Sequence, residues 1–503
     1  MLLFTERQKA SYWDSFFTRK VSPASLVTFR VLFGFMMLVS IIRFAANGWI
    51  KSLYIDPTFF FSYYGFEWIK PLGNFGMYLL FAIMGLSALS IMLGAFYRIG
   101  ATTFFLSFTY VELIDKSNYL NHYYFVSIIA LLLIFLPAHT RFSIDILRSP
   151  RIITNQVPMW VKWVIPVQLA IVYFFAGLAK LNPDWLLEAL PLKIWLPSRS
   201  DLPLIGSLLI KEWVAYIFSW FGAVYDLTIV FFLLYPKTRW LAYFTVIVFH
   251  IMTGILFQIG MFPYIMIVST LVFFPDKYHE NAINFLSGLL NRLSNFLSSI
   301  FSGLYSIFHT SKDFPPKLVD SVAQATYFQN TFPKILTQQN HKKISSPGSF
   351  YYSYKTRLIK ILFVSFFILQ LALPFRYLLY PGNLFWTEEG YRFSWRVMLM
   401  EKAGYAIFHI TDNETGNNWE VNNSEYLTPN QEKMMATQPD MILQFAHFLK
   451  EEYRKKGLED ISITTESYVA LNGKRSKLYI DPKADLTKVA ESFRHKTWIL
   501  PFE

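Results

Sequence analysis

Residues 164–185 read VIPVQLAIVYFFAGLAKLNPDW. The first part, Val164–Ala179, is an uncharged apolar run that fits a helix inside a bilayer. It runs into Lys180 and then breaks at Asn182-Pro183-Asp184, because proline lacks an N–H and restricts the residue before it. A charge inside or at the edge of a membrane is expensive and marks function. An apolar setting favours the neutral amine over the ammonium, and the neutral amine is the form that acts as a base. The plainer reading is that Lys180 snorkels to the interface and anchors its helix.

The rest of the chain agrees with a membrane setting. Of 503 residues, 54% are hydrophobic and only 16% charged, against about 25% charged in an average globular chain. Aromatics reach 19%, with 51 Phe. This composition excludes a disordered chain and argues against a cytosolic enzyme. Further candidate spans are Leu26–Ile42, Gly76–Phe96, Ile99–Ile114, Tyr123–Pro137, Trp213–Leu234, Trp240–Ile259, Phe262–Phe274 and Ile359–Leu373. The expected fold is a polytopic α-helical membrane protein of about nine spans with a C-terminal extramembrane α+β domain. Phe262–Phe274 is the weakest span and also fits half of a re-entrant feature.

The net charge of +12 reads as basic loops that orient the spans. No basic stretch interleaved with aromatics suggests nucleic-acid binding. Arg7, Lys9, Arg19 and Lys20 precede the first span, and Arg98, Arg141, Arg148, Arg151, Lys162, Lys237 and Arg239 lie in later loops. With nine spans, all of these fall on one side, together with the Lys- and Arg-rich segment after Phe274. That side is the cytoplasm, so the N-terminus is cytoplasmic and the last span delivers the C-terminal region outside. The chain reads as a multi-pass inner-membrane protein. Its first residues lack the pattern of a cleavable signal peptide.

The expected division is 1–274 (transmembrane catalytic region), 275–358 (cytoplasmic or interfacial insertion), 359–380 (last span) and 381–503 (extracytoplasmic domain). Within the insertion, residues 282–308 place Phe, Leu and Ile at helical spacing between Ser, Asn and Arg. This fits a helix lying in the membrane interface, or equally one packed against the spans. In the last region, YAIFHI (405–410), WEV (419–421), ISITTESYVAL (461–471) and KLYI (477–480) read as strands. Thr428-Pro429 starts a helix, and a second runs from Asp440 to about Lys455 with Met441, Ile442, Phe445 and Leu449 on one face.

Near the outer end of the spans, Lys180 is joined by Asn121 and His122 of the loop 115–124 and by IGMFPY (259–264). His250 sits in mid-span, where a hydrogen-bonded helix contact competes with a catalytic role. His122 also fits an ordinary interfacial residue. The chain has no cysteine, which excludes disulfides, thiolate nucleophiles and Cys-ligated metals. There is no nucleophile elbow, P-loop, dinucleotide fingerprint or HExxH spacing. No metal is expected.

At these residues the sequence resembles the vitamin K-dependent gamma-glutamyl carboxylases and their bacterial homologues, the horizontally transferred transmembrane (HTTM) domain family. The likeness rests on SNYLNHYYF (117–125), VYFFAGLAKLNPDWL (172–186), FHIMTGILFQIGMFPY (249–264) and WTEEGYRFSWRVMLMEKAG (386–404). YLTPNQEKMMATQPDMILQFAHFL (426–449) resembles the family's extramembrane domain. The resemblance implies oxidation of reduced vitamin K, a hydroquinone, by O2 to its epoxide. The base so formed takes a gamma proton from a peptidyl glutamate, and CO2 adds. It further implies Lys180 as the base acting on the hydroquinone, with Asn121 and His122 bonding the quinol oxygens. His250, Met261, Phe262 and Tyr264 would line the quinol pocket. Arg376, Trp395 and Arg396 would support the domain junction or the glutamate carboxylate. Implied partners are membrane lipid, vitamin K or menaquinol, and a glutamate-containing protein or peptide. The chain departs from animal carboxylases in having no cysteine and in being shorter. Alternatives within the sequence are a quinol epoxidase without efficient carboxylation and a non-enzymatic membrane scaffold or transporter.

Overall fold

The computed structural model describes residues 19–257, 259–309 and 355–502. The expectations for Arg7, Lys9 and residues 310–354 of the insertion lie outside the described residues. Helices stand at all nine candidate segments. They are α1 (Ala24–Ala46), α2 (Gly73–Leu93), α3 (Tyr97–Ile114), α4 (Asn121–Phe135), α5 (Met159–Ala179), α6 (Glu212–Leu234), α7 (Arg239–Phe257), α8 (Phe262–Thr270) and, after the insertion helix α9 (Asp276–His309), α10 (Lys355–Ala372). Among the described residues, six helices are long and apolar enough to cross a membrane: α1, α2, α5, α6, α7 and the stretch Ile361–Leu379 that prolongs α10. The 15 residues of α4 reach about 22 Å at ~1.5 Å per residue, short of a ~30 Å hydrocarbon core. Helix α8 is shorter, and α3 is diluted by Arg98 and Glu112. The chain is an integral membrane protein with six candidate spans rather than nine of full length.

The end of α2 shows how a charge settles in this apolar bundle. Arg30 is fully buried, and it donates to Ile91 O (2.9 Å), Met92 O (3.0 Å) and Phe142 O. The last carbonyls of a helix have no partner within it, and Arg30 supplies one. Gly94 ends the helix at φ +63°, and a Cβ there would strike the Arg30 guanidinium.

After Tyr380 the chain forms an α+β domain. Its elements are β1 (Lys402–Asp412), β2 (Asn418–Glu420), α11 (Pro429–Met435), α12 (Pro439–Lys455), β3 (Ile461–Leu471) and β4 (Lys477–Leu478). The sheet is antiparallel in the order β2-β1-β3-β4, with Tyr405 opposite Tyr468. Alternate residues Ala406, Phe408 and Ile410 are buried, as a half-buried strand demands. They meet Met441, Ile442, Phe445 and Leu449 of α12, all fully buried. Thr428 and Gln431 form a reciprocal capping box at the start of α11.

The membrane region reaches into this domain. Phe61, from the loop between α1 and α2, is fully buried in the domain core, and Phe59 packs 4.4 Å from Phe448. Gln431 Nε2 donates to Asp115 Oδ2 (2.8 Å) and Phe59 O (2.7 Å). Lys474 Nζ reaches Asp184 at 2.6 Å, and Asn472 donates to the same carboxylate at 2.8 Å.

A cluster of charges closes the junction. Asp440 lies 3.0 Å from Lys116 and 2.7 Å from Arg392. Burial alone would raise its pKa, but Arg392 and Lys116 outweigh that and hold the carboxyl well below the usual range. A depressed native pKa gives stability that is complete above the unfolded value of about 4 and is lost as pH falls below it. Asp440→Asn should therefore cost on the order of 2 kcal/mol at pH 7, with the gap to the parent starting to narrow as pH drops from about 5 towards 3. Unfolding midpoints of both proteins in nanodiscs across that range check this.

Candidate functional site

The central residue, Lys180, caps the end of helix α5 and is buried there. Asn182 adopts an extended conformation (φ −133°, ψ 156°) ahead of Pro183. Its side chain accepts from Trp185 N (3.0 Å) and donates to Ala179 O (2.9 Å), which satisfies one orphan group on each side of the break. Trp185 Nε1 then donates to Ser219 O of α6 (2.9 Å). Gly177 lets α5 and α6 touch, since a Cβ there would lie 2.7 Å from the Leu227 side chain and 2.8 Å from its backbone nitrogen.

That close approach brings Asp226, the neighbour of Leu227, to Lys180. Lys180 Nζ stands 2.7 Å from Asp226 Oδ2 and 3.2 Å from Ala176 O, with the Trp185 ring centroid at 5.4 Å. Both partners are 6% exposed. Asp226 is the principal residue that the sequence reading missed. The signal was available in FGAVYDLTIVF (221–231), a lone carboxylate in an apolar span.

The pair opens on a small apolar cavity of about 90 Å³ lined also by Tyr173, His250, Phe262, Met266 and Met398. His250 lies 3.0 Å through Nε2 from the Tyr173 hydroxyl. Its Nδ1 is buried and has no hydrogen-bond partner among the described residues. Phe262 sits between two histidines, with ring centroids 5.8 Å from His250 and 5.6 Å from His122. His122 is thus near this group but is not part of the cavity wall.

A second cavity of about 640 Å³ lies at the domain junction. Trp195, Phe257 and Met398 line both cavities. The larger one carries Lys116, Arg392, Arg396, Lys402, Lys433 and the carboxylates Glu388 and Glu401. Lys402 donates to Glu388 (2.8 Å), Trp386 O (2.8 Å) and Tyr479 OH (3.1 Å). Burial lowers its pKa, Glu388 opposes the shift, and the net direction is downward.

The remaining candidates divide. Asn121 lines the large cavity, and its side-chain amide donates to Arg396 O (2.9 Å) while its oxygen accepts from Tyr119 OH (3.1 Å). Arg396 lines the 640 Å³ cavity and a neighbouring one of about 390 Å³, with its guanidinium 4.4 Å above the Tyr377 ring. Trp395 is buried and stacked on Tyr124 at 4.8 Å. Arg376 bonds to Arg392 O and lines none of these three cavities. Met261 packs against the membrane core and does not line the small cavity. Tyr264 points outward at 57% exposure. The structure therefore brings together Lys180, His250 and Phe262, places Asn121, Trp395 and Arg396 at the junction, and leaves Tyr264 apart.

A helical membrane bundle joined to an antiparallel α+β domain defines the class. Residues 18–278 match the HTTM domain, and residues 355–503 match the lumenal domain of vitamin K-dependent gamma-carboxylase. The chain belongs to the vitamin K-dependent gamma-carboxylase family. No solved structure matches it.

An ion pair in apolar surroundings has a testable signature. Removing one partner strands the other's charge, so Asp226→Ala should destabilise the protein by about 3–5 kcal/mol. Replacing both, as Lys180→Met with Asp226→Leu, should recover most of that loss. Denaturant unfolding of the two variants beside the parent decides it.

Proposed function

We propose that the chain is a vitamin K-dependent gamma-carboxylase that joins quinol oxygenation to carboxylation of peptidyl glutamate. The observation that carries this reading is a buried Lys180–Asp226 pair in an apolar cavity that shares a wall with a large cation-lined cavity. The residues fit a hydroquinone ring in chemistry. The unpartnered His250 Nδ1 offers a hydrogen bond, and aromatic walls offer a face. The small cavity is below the ~300 Å³ of common ligand sites, so the ring enters by displacing the shared wall at Met398, Trp195 or Phe257.

Lys180 takes a hydroxyl proton from the bound quinol. Within the pair, the ammonium–carboxylate form and the amine–carboxylic acid form differ by one proton moved across 2.7 Å. Asp226 accepts that proton and leaves Lys180 as the free amine. His250, held by Tyr173, bonds a quinol oxygen, while Phe262 and Met261 pack against the ring and His122 backs Phe262. Oxidation of bound reduced vitamin K by O2 supplies the strong base that prepares glutamate for CO2. The apolar lining excludes water, which would quench that base. Across the shared wall, Arg396 receives the glutamate carboxylate, and Trp395, Arg376 and Asn121 hold the segment that carries it. In this reading Asn121 acts through the backbone rather than on the quinol.

Purified protein in nanodiscs, given reduced vitamin K, O2, a Glu-rich peptide and labelled bicarbonate, should yield epoxide and labelled peptide. Lys180→Ala should reduce both by at least ~100-fold, the scale of a lost general base. Epoxide without label would support the epoxidase alternative. Neither product with a range of quinols would end the enzyme reading.

The division at 274, 358 and 380 and the outward C-terminal domain belong to the same proposal. Lys180, Asp184 and Asn121 share one end of the bundle with that domain, and the matched family domain is described as lumenal. The charge-diluted helix α3 and the shorter helices α4 and α8 then complete a nine-pass arrangement with the N-terminus in the cytoplasm. Protease added to sealed right-side-out vesicles should digest residues 381–503, and full protection would refute this topology.

A further inference from the structure

Helix α9 lies at the opposite end of the bundle from Lys180. It begins at Asp276, two residues after Phe274, whose ring packs 4.7 Å from Trp240 at the start of α7. Tyr278 adds a third ring, 5.5 Å from Trp240. Trp and Tyr at the end of a span mark the membrane–water boundary, so α9 starts at that height. Its 34 residues extend about 51 Å at ~1.5 Å per residue, far more than a ~30 Å core.

The helix has three faces, spaced at about 100° per residue. The first faces the bundle: His279, Ile283 and Ser287 are buried, and Ile283 clusters with Ala24 and Val27 of α1. Glu280 accepts from Ser22 (2.8 Å), and Asp276 pairs with Lys162 (2.6 Å). The second face is apolar and exposed: Phe285 (72%), Leu289, Leu293, Phe296 (61%) and Ile300. The third carries Asn284, Arg292 and Asn295, all exposed. A helix that packs on one side and is polar on another cannot cross the core, yet it carries an apolar stripe that needs cover.

We infer that this stripe is a lipid-binding surface, by which α9 lies in the plane of the membrane leaflet at the Trp240 end of the bundle. The stripe begins beside Trp240, which packs on Tyr278, lines one cavity with Leu286 and is 58% exposed at the end of a candidate span. The exposed apolar side chains of the span and those of the stripe thus meet at Trp240. A second copy of the chain would have to cover the stripe without covering those of the span.

The absence of cysteine makes the test direct. Single-cysteine variants at Phe285, Leu289 and Phe296, and at Asn284, Arg292 and Asn295, are labelled with an environment-sensitive fluorophore in nanodiscs. Phosphatidylcholine with brominated acyl chains should quench the first set at least threefold more than the second. Aqueous iodide should show the reverse order. A second measurement uses the unsubstituted protein with a diazirine-bearing phosphatidylcholine, and adducts are expected on the peptide that contains Leu289 and Leu293. Equal quenching on both faces with no adduct overturns the inference. So do apolar-face labels that neither quencher reaches, which is the signature of a second copy. None of these readouts depends on carboxylation.

Discussion

Everything around the candidate site follows from holding one lysine and one aspartate at 2.7 Å inside an apolar bundle. Their attraction is about 6 kcal/mol at an effective dielectric of ~20. Removing both ions from water costs several kcal/mol each. The two terms nearly cancel, so the pair adds little to stability and is not explained by it. What the pair does demand is geometry. Gly177 lets α6 approach, Asn182 and Pro183 stop α5 one turn later, and Trp185 fastens the break to Ser219. Change any of these and the two charges separate in a medium that cannot solvate them.

The soluble domain is bound into the same arrangement. The loop after Lys180 ends in Asp184, which is held by Asn472 and Lys474 at the turn following β3. On the other side, Asn121 and Tyr119 hold the segment that follows Tyr391 through the carbonyl of Arg396 and the N–H of Phe393. The Lys180 helix end is thus clamped by a turn of the extramembrane domain, and a strap of that region forms the wall of the lysine's cavity. The two matched family domains meet at a site that neither completes alone.

Much of this was legible in the sequence. Strand alternation, the Thr428 cap and the apolar face of α12 placed the C-terminal elements within three residues, the widest gap being the start of β1, because each is set by local pattern. Hydropathy located all nine helical segments for the same reason, but not which of them are long enough to cross. Lys180 was conspicuous as a charge at the end of an apolar run. Its partner carries no local signal: Asp226 lies 46 residues away, and only the packing at Gly177 selects it from the other acids. The contact of Asn121 was hidden more deeply, since its partner is a backbone carbonyl 275 residues on, and carbonyls leave no mark in a sequence. Tyr264 shares a motif with Phe262, but two residues along a helix turn through about 200°. That rotation sends one ring towards His250 and the other outward.

The strap also bears on how the two cavities communicate. Phe393, Trp395 and Met398 have φ of 60°, 59° and 53°, a region that residues other than glycine rarely adopt. Such a run persists only where the surroundings over-determine it. Here Tyr119, Asn121 and Tyr124 do so from the membrane side. Met398 comes at the end of the run and lines both cavities. An unbranched, flexible side chain is the kind that moves aside and returns at low cost. A rigid strap that ends in a yielding methionine separates the lysine from the cation-lined chamber while leaving a route between them. The wall between the two cavities then combines Trp195 and Phe257 with one yielding side chain, which is positioned by contacts that span both parts of the chain.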